Sequence, residues 1–96
     1  MIVSENVRRQ TGRYFAPDDV PQALALLEQA ELPFVSGPAD RIQFAIILIA
    51  LRDLGRFKAE LKQAQIDWRD TLVMAGLAGE DWAQVLRGLG IELKSP

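Results

Sequence analysis

Histidine and cysteine are both absent from this chain. Without cysteine there are no disulfides and no thiolate metal sites. Without histidine, the commonest general base, the commonest transition-metal ligand and the usual near-neutral pH switch are gone. Hydroxyls are scarce: Ser4, Ser36, Ser95, Thr11, Thr71 and Tyr14 are the full set, with no imidazole to activate any of them. Paired-carboxylate catalysis is the only enzyme chemistry this inventory permits, with Asp53, Asp67, Asp70, Glu80 and Asp81 as candidates. Nearly all of these fall at expected helix ends, where capping and the helix dipole account for them. The expectation is a non-enzyme with no catalytic residue, no metal site and no cofactor.

A long apolar run is missing too. The uninterrupted stretch Phe44–Leu51 is eight residues, far short of the about 20 that a membrane span needs. Met1-Ile2-Val3 gives way to charged residues, so no signal peptide is read here and a cytoplasmic protein is expected. No segment alternates with the period of a strand, and there is no internal repeat or low-complexity tract. Net charge is −2, which argues against strong non-specific nucleic-acid binding. The charge is unevenly spread. Residues 18–40 carry Asp18, Asp19, Glu28, Glu31 and Asp40 with no base, while Arg41, Arg52, Arg56, Lys58, Lys62 and Arg69 outnumber the acids of residues 41–69. The acidic and basic segments are expected to face each other within the fold or across a dimer.

Ninety-six residues make one domain, long enough for one real core. Its organising stretch is that apolar run, inside a helix expected over about 38–54. A helix turns about 100° per residue, so eight consecutive apolar side chains point in every direction around its axis. A helix that is apolar all round is buried or lies against a second chain. Within it, the stripe Arg41, Ala45, Leu48, Arg52 joins the polar ends and is the face expected to be least buried. Two outcomes are open for it: cover by neighbouring helices, or a self-association face with arginine at its rim.

The flanking elements follow from their punctuation. Residues 1–16 read as an arm or short helix capped by Ser4, with Val7 as its interior apolar residue and Tyr14 and Phe15 as anchors. Residues 17–96 read as a single helical domain. Asp18-Asp19-Val20-Pro21 opens a helix with Val20, Ala23, Leu24 and Leu27 inward, Asp as cap and Pro in the first turn. Pro33 stops it, and Ser36 or Gly37 caps the central helix with Pro38 in its first turn. Gly55 is expected to end that helix in the left-handed conformation. A short amphipathic helix follows from Arg56 to about Gln65, with Phe57, Leu61 and Ala64 inward. Asp67 caps the next, which stops at Gly76. Glu80-Asp81 opens the last, with Trp82, Val85, Leu86 and Leu89 inward.

Residues 71–89 also invite a helix-turn-helix reading, because Ala75, Gly79 and Val85 approach that spacing. The would-be recognition helix begins with two acids and offers only Gln84 and Arg87 to a duplex, so a packed helical hairpin is favoured. Trp68 and Trp82 are expected to plug the core between the last helices, or to act as partner hot spots where exposed. Arg69, beside Asp70, is expected to make a local or interhelical ion pair.

Three pieces carry a family resemblance: Arg41-Ile42-Gln43-Phe44-Ala45, Arg52-Asp53-Leu54-Gly55 and Asp67-Trp68-Arg69-Asp70. Together they resemble a family of small, uncharacterised, all-helical bacterial proteins over about residues 38–78. The resemblance implies a bacterial cytosolic source and assigns no activity and no functional residue.

The sequence therefore points to an all-α compact bundle of four to five short helices around the central apolar helix. Its function is expected to be non-catalytic, as a protein-interaction or self-associating homodimer module. The candidate interface is Arg41, Ala45, Leu48, Arg52, Trp68 and Trp82. Nucleic-acid binding through residues 71–89 with the basic N-terminal arm, and binding of a small apolar ligand, are the alternatives.

Overall fold

The computed structural model describes residues 3–31 and 39–91. Ser4 starts the first helix as its chemistry predicts: its Oγ accepts the Val7 amide N–H at 3.2 Å, and α1 runs Glu5–Tyr14. The N-terminal arm is thus a helix whose inner face is Val7, Gln10 and Thr11. Thr11 donates its hydroxyl to the Val7 carbonyl at 2.7 Å, which satisfies a polar group that is otherwise buried. Phe15 follows at the end of α1 and sits edge-on to Phe57, with ring centroids 5.5 Å apart at 85°.

The second helix, α2, spans Val20–Gln29 and buries Ala23 and Leu27. Its Asp19 is not the hydrogen-bonding cap expected of it. An effective N-cap holds extended backbone angles that aim its oxygen at the first-turn amides. Asp19 has helical angles, φ −88° and ψ −21°, because a preceding turn donates its amide N–H to the Ala16 carbonyl at 2.8 Å. Pro33 and the expected cap at Ser36, Gly37 and Pro38 lie outside the described residues.

The central helix, α3, spans Ala39–Ala50 and packs against α1 and, on its other sides, against α4 (Leu54–Ile66) and α5 (Trp68–Ala75). Ile42, Phe44, Ala45, Ile46, Ile47 and Ala50 are fully buried, as a helix apolar all round demands. Ser4 donates its hydroxyl to Asp40 at 2.8 Å, tying the start of α1 to the first turn of α3. α4 buries the predicted stripe Phe57, Leu61 and Ala64. Asp67 caps α5 by accepting from the Arg69 and Asp70 amides, and Gly76 ends it at φ 76°. A last helix, α6, spans Trp82–Gly88. Six helices and no strand lie among the described residues, the N-terminal arm forming the first of them as α1. The radius of gyration is 12.0 Å, as a compact chain of this length has (about 12–13 Å).

Two expectations fail at helix ends. α3 stops at Ala50, not near Leu54, and Gly55 is not its left-handed cap. The chain reverses instead through Leu51 and Arg52, at φ 51° and φ 68°. The Asp53 amide closes the turn by donating to the Ala50 carbonyl at 3.0 Å. Its carboxylate then caps α4 by accepting from Gly55 at 2.8 Å and Arg56 at 3.1 Å. Gly55 therefore lies in the first turn of α4. Two adjacent non-glycine residues in left-handed conformation each cost about 1–2 kcal/mol. Leu51→Gly is accordingly expected to stabilise the monomer by about 1 kcal/mol net of the extra freedom glycine has when unfolded. A raised thermal midpoint is the check, and a lowered one would mean that Leu51 contributes packing larger than its strain.

The second miss is Leu89, read as inward and found 58% exposed. α6 ends at Gly88, and the chain leaves the helical register through Leu89 and Gly90, the latter at φ 85°. Ile91 takes the buried position instead, its amide donating to the Leu86 carbonyl at 3.0 Å.

Candidate functional site

The nominated interface residues divide into those spent inside the chain and those left at the surface. Ala45 is fully buried, so the stripe Arg41, Ala45, Leu48, Arg52 is not one open face. Neighbouring helices cover its middle, and Arg52 has left the helix. Arg41 reaches across to the connection between α5 and α6. Its Nε donates to the Leu77 carbonyl at 2.8 Å and its Nη2 to the Gly79 carbonyl at 3.3 Å. Its guanidinium carbon lies 6.0 Å from the centre of the Trp82 ring, within cation–π range. Arg52 lies over Tyr14 at 5.6 Å and Arg69 over Trp68 at 5.4 Å. No ion pair joins Arg69 to Asp70 in the described structure, because the guanidinium rests on the indole face. Trp68 and Trp82 are both half-buried, packed on the core with an edge exposed.

The same surface carries two hollows. The smaller, about 250 Å³, is walled by Arg41, Trp68, Leu72 and Val73. The larger, about 370 Å³, has a floor of half-buried Leu48 with Ile49 and Ala75, and walls of Tyr14, Leu51, Met74 and Leu89. Among the described residues, Arg56 is the one charged residue on it, and no acid lines either hollow. Val73 and Met74, adjacent in α5, face one hollow each. Among the described residues five large apolar side chains are exposed, and three of them gather on the larger hollow, Leu51 at 63% with Met74 and Leu89 at 58%, while Val73 at 64% lies on the smaller. Ile66 is the fifth. A soluble surface tolerates single exposed leucines, but a cluster around one concavity marks a contact site.

Of the nominated residues, Leu48 lies in the larger hollow, with Arg52 stacked on its Tyr14 wall, and Arg41 and Trp68 line the smaller. Met74, Leu51, Leu89 and Tyr14 were not nominated. One signal for Met74 was available. Trp68, Thr71, Leu72 and Ala75 form the i, i+3, i+4, i+7 stripe of α5, and Val73 and Met74 fall off it. Apolar residues off the buried stripe of a short helix are surface residues.

Ser4 accepts from the Val7 amide and donates to Asp40, Thr11 donates to the Val7 carbonyl, and the Thr71 hydroxyl is buried. Among the described residues no three carboxylates gather as a metal site, and no helix is long and apolar enough to cross a membrane. The acidic segment meets the N-terminal helix at one point, where Arg8 of α1 forms an ion pair with Glu28 of α2. The connection from α5 to α6 runs over residues 76–81 with two of its carbonyls held by Arg41, longer than the three- to four-residue turn of a helix-turn-helix. No family model, no curated protein and no solved structure matches this chain.

Proposed function

We propose that this chain is a non-catalytic, self-associating helical module, and that its homodimer contact lies at the larger apolar hollow. One observation carries the reading: Leu51, Met74 and Leu89, each more than half exposed, converge on the concavity floored by Leu48. Covering such a surface gains about 25 cal/mol per Å² of apolar area before the entropic cost of association. A two-fold dimer presents the same patch from both copies, so each apolar wall meets its own equivalent. The absence of histidine and cysteine supports a role that needs no chemistry.

Molar mass by light scattering during size exclusion, over a wide concentration range, tests this. A dimer that dissociates only on dilution is expected. Met74→Glu places a charge on an exposed position, so it leaves the fold intact and raises the dimer dissociation constant by about tenfold or more, the equivalent of about 1.4 kcal/mol. A wild-type chain that stays monomeric throughout sinks the reading, and an unaffected Met74→Glu dimer moves the contact elsewhere.

A further inference from the structure

The joint between α3 and α4 is strained, and it forms part of the wall of the hollow. Leu51 and Arg52 hold φ 51° and 68° in a reversal only three residues long, 51–53. Residues with a Cβ persist there only where their surroundings enforce it. Besides the packing of α4 on α3, the contacts that hold this reversal are few: the Asp53 amide on the Ala50 carbonyl, the Asp53 carboxylate on two amides, and Arg52 over the Tyr14 ring. Leu51 gains little from the arrangement, since it stays 63% exposed. The sequence on both sides favours helix, and nothing local requires a break before Gly55. With residues 51 and 52 in right-handed conformation, α3 and α4 become one helix over 39–66, about 40 Å long at 1.5 Å per residue. The half α1–α3 then swings off the half α4–α6. Each half then exposes core side chains that pack across the joint in the closed chain, Phe15 on one and Phe57 on the other among them.

We propose that a second copy covers them: two chains associate by exchanging α1–α3 about the joint at 51–53. This rests on the self-association reading above and gives it a route. Every core contact of the monomer is regained between chains, while each chain sheds two left-handed residues. Short hinge loops under strain invite this exchange. The new contact between copies forms at the joints, and the joint is where Leu51 and Arg56 meet the exposed apolar wall. The cap at Asp53 and the glycine at 55 oppose the continuous helix, so single substitutions here tip the balance.

The chain's lack of cysteine allows a direct test. Gln65 of α4 donates its side-chain amide to the Glu31 carbonyl at 3.2 Å, and these two exposed residues belong to opposite halves. The double variant Glu31→Cys with Gln65→Cys, incubated at a concentration where light scattering finds dimers, is treated with a short bismaleimide and run on a denaturing gel. Exchange gives covalent dimers. Monomer bands from a dimeric sample overturn the exchange and leave association through the hollow standing, whereas a sample monomeric at every concentration overturns both. Joint variants give an independent reading. Leu51→Gly and Arg52→Gly suit the closed turn and raise the dimer dissociation constant by about tenfold or more, since both joints of the dimer count. Asp53→Ala removes the cap that holds the turn and lowers it. Indifference to all three overturns the proposal.

Discussion

Phe57→Ala is expected to destabilise the protein by about 3–5 kcal/mol, the usual range for a phenylalanine removed from a packed core. For a domain of this size that lowers the thermal midpoint by at least about 12 °C. Phe57 is fully buried on α4, where it meets Phe15 edge-on. An edge-to-face aromatic pair adds about 0.5–1.5 kcal/mol beyond the area it buries. The pair matters for topology as well as for energy. Phe15 terminates α1, so truncating Phe57 loosens the hold of α4 on the N-terminal helix. Circular dichroism through a thermal ramp reads the effect. Phe57→Leu retains most of the volume and is expected to recover more than half of the loss. A loss under about 1 kcal/mol for the alanine variant would mean that the site collapses around the cavity and that Val7 and the Ser4 to Asp40 hydrogen bond suffice to hold α1.

Helix ends were legible in the sequence at three places, the side-chain caps of Ser4 and Asp67 and the left-handed glycine stop at Gly76, each acting over three or four residues where its chemistry predicts. The inner stripe of α4 was legible for the same local reason. The end of α3 was not. Leu51, Arg52, Asp53 and Leu54 carry no local instruction to stop, and Gly55 offered a plausible stop one turn too late. What ends the helix at Ala50 is the demand that α4 pack back along α3, and Asp53 then becomes a start signal instead of a helix-end residue. Leu89 failed in a related way, since α6 ended one residue before the stripe did. The candidate site shows the same divide between local and distant. Leu48 was nominated from its own helix and does line the hollow. Tyr14, Met74 and Leu89 come from three other segments, and no local pattern says that they converge. Arg41 was nominated on the least buried face of its helix and Trp82 as a core plug or partner hot spot, and their contact with each other spans 41 positions of sequence.

That contact makes a second large effect predictable. Arg41→Ala is expected to cost about 2 kcal/mol, because hydrogen bonds to a charged donor contribute about 1.5–3 kcal/mol and Arg41 is only half-buried. The guanidinium bridges α3 to the carbonyls of Leu77 and Gly79 and lies against the Trp82 ring. It is thus a principal polar tie holding the 76–81 connection and α6 to the centre of the molecule. Arg41→Lys keeps the charge but not the planar fork that serves two carbonyls and a ring together, so less than half is expected to return. Hydrogen exchange separates this from a general loss of stability. The amides of α6 are expected to lose protection well before those of α3 and α4, as a unit opening below the global limit. The molar mass at a given concentration should stay that of the wild type, since Arg41 spends its donors within its own chain. Were Arg41→Ala to shift the dimer while leaving α6 protected, the arginine would belong to the interface and its ties to Leu77 and Gly79 would be incidental. Exchange localised to residues 82–88 would establish it as a strut, and the association surface would then lie with Leu48, Met74 and Leu89.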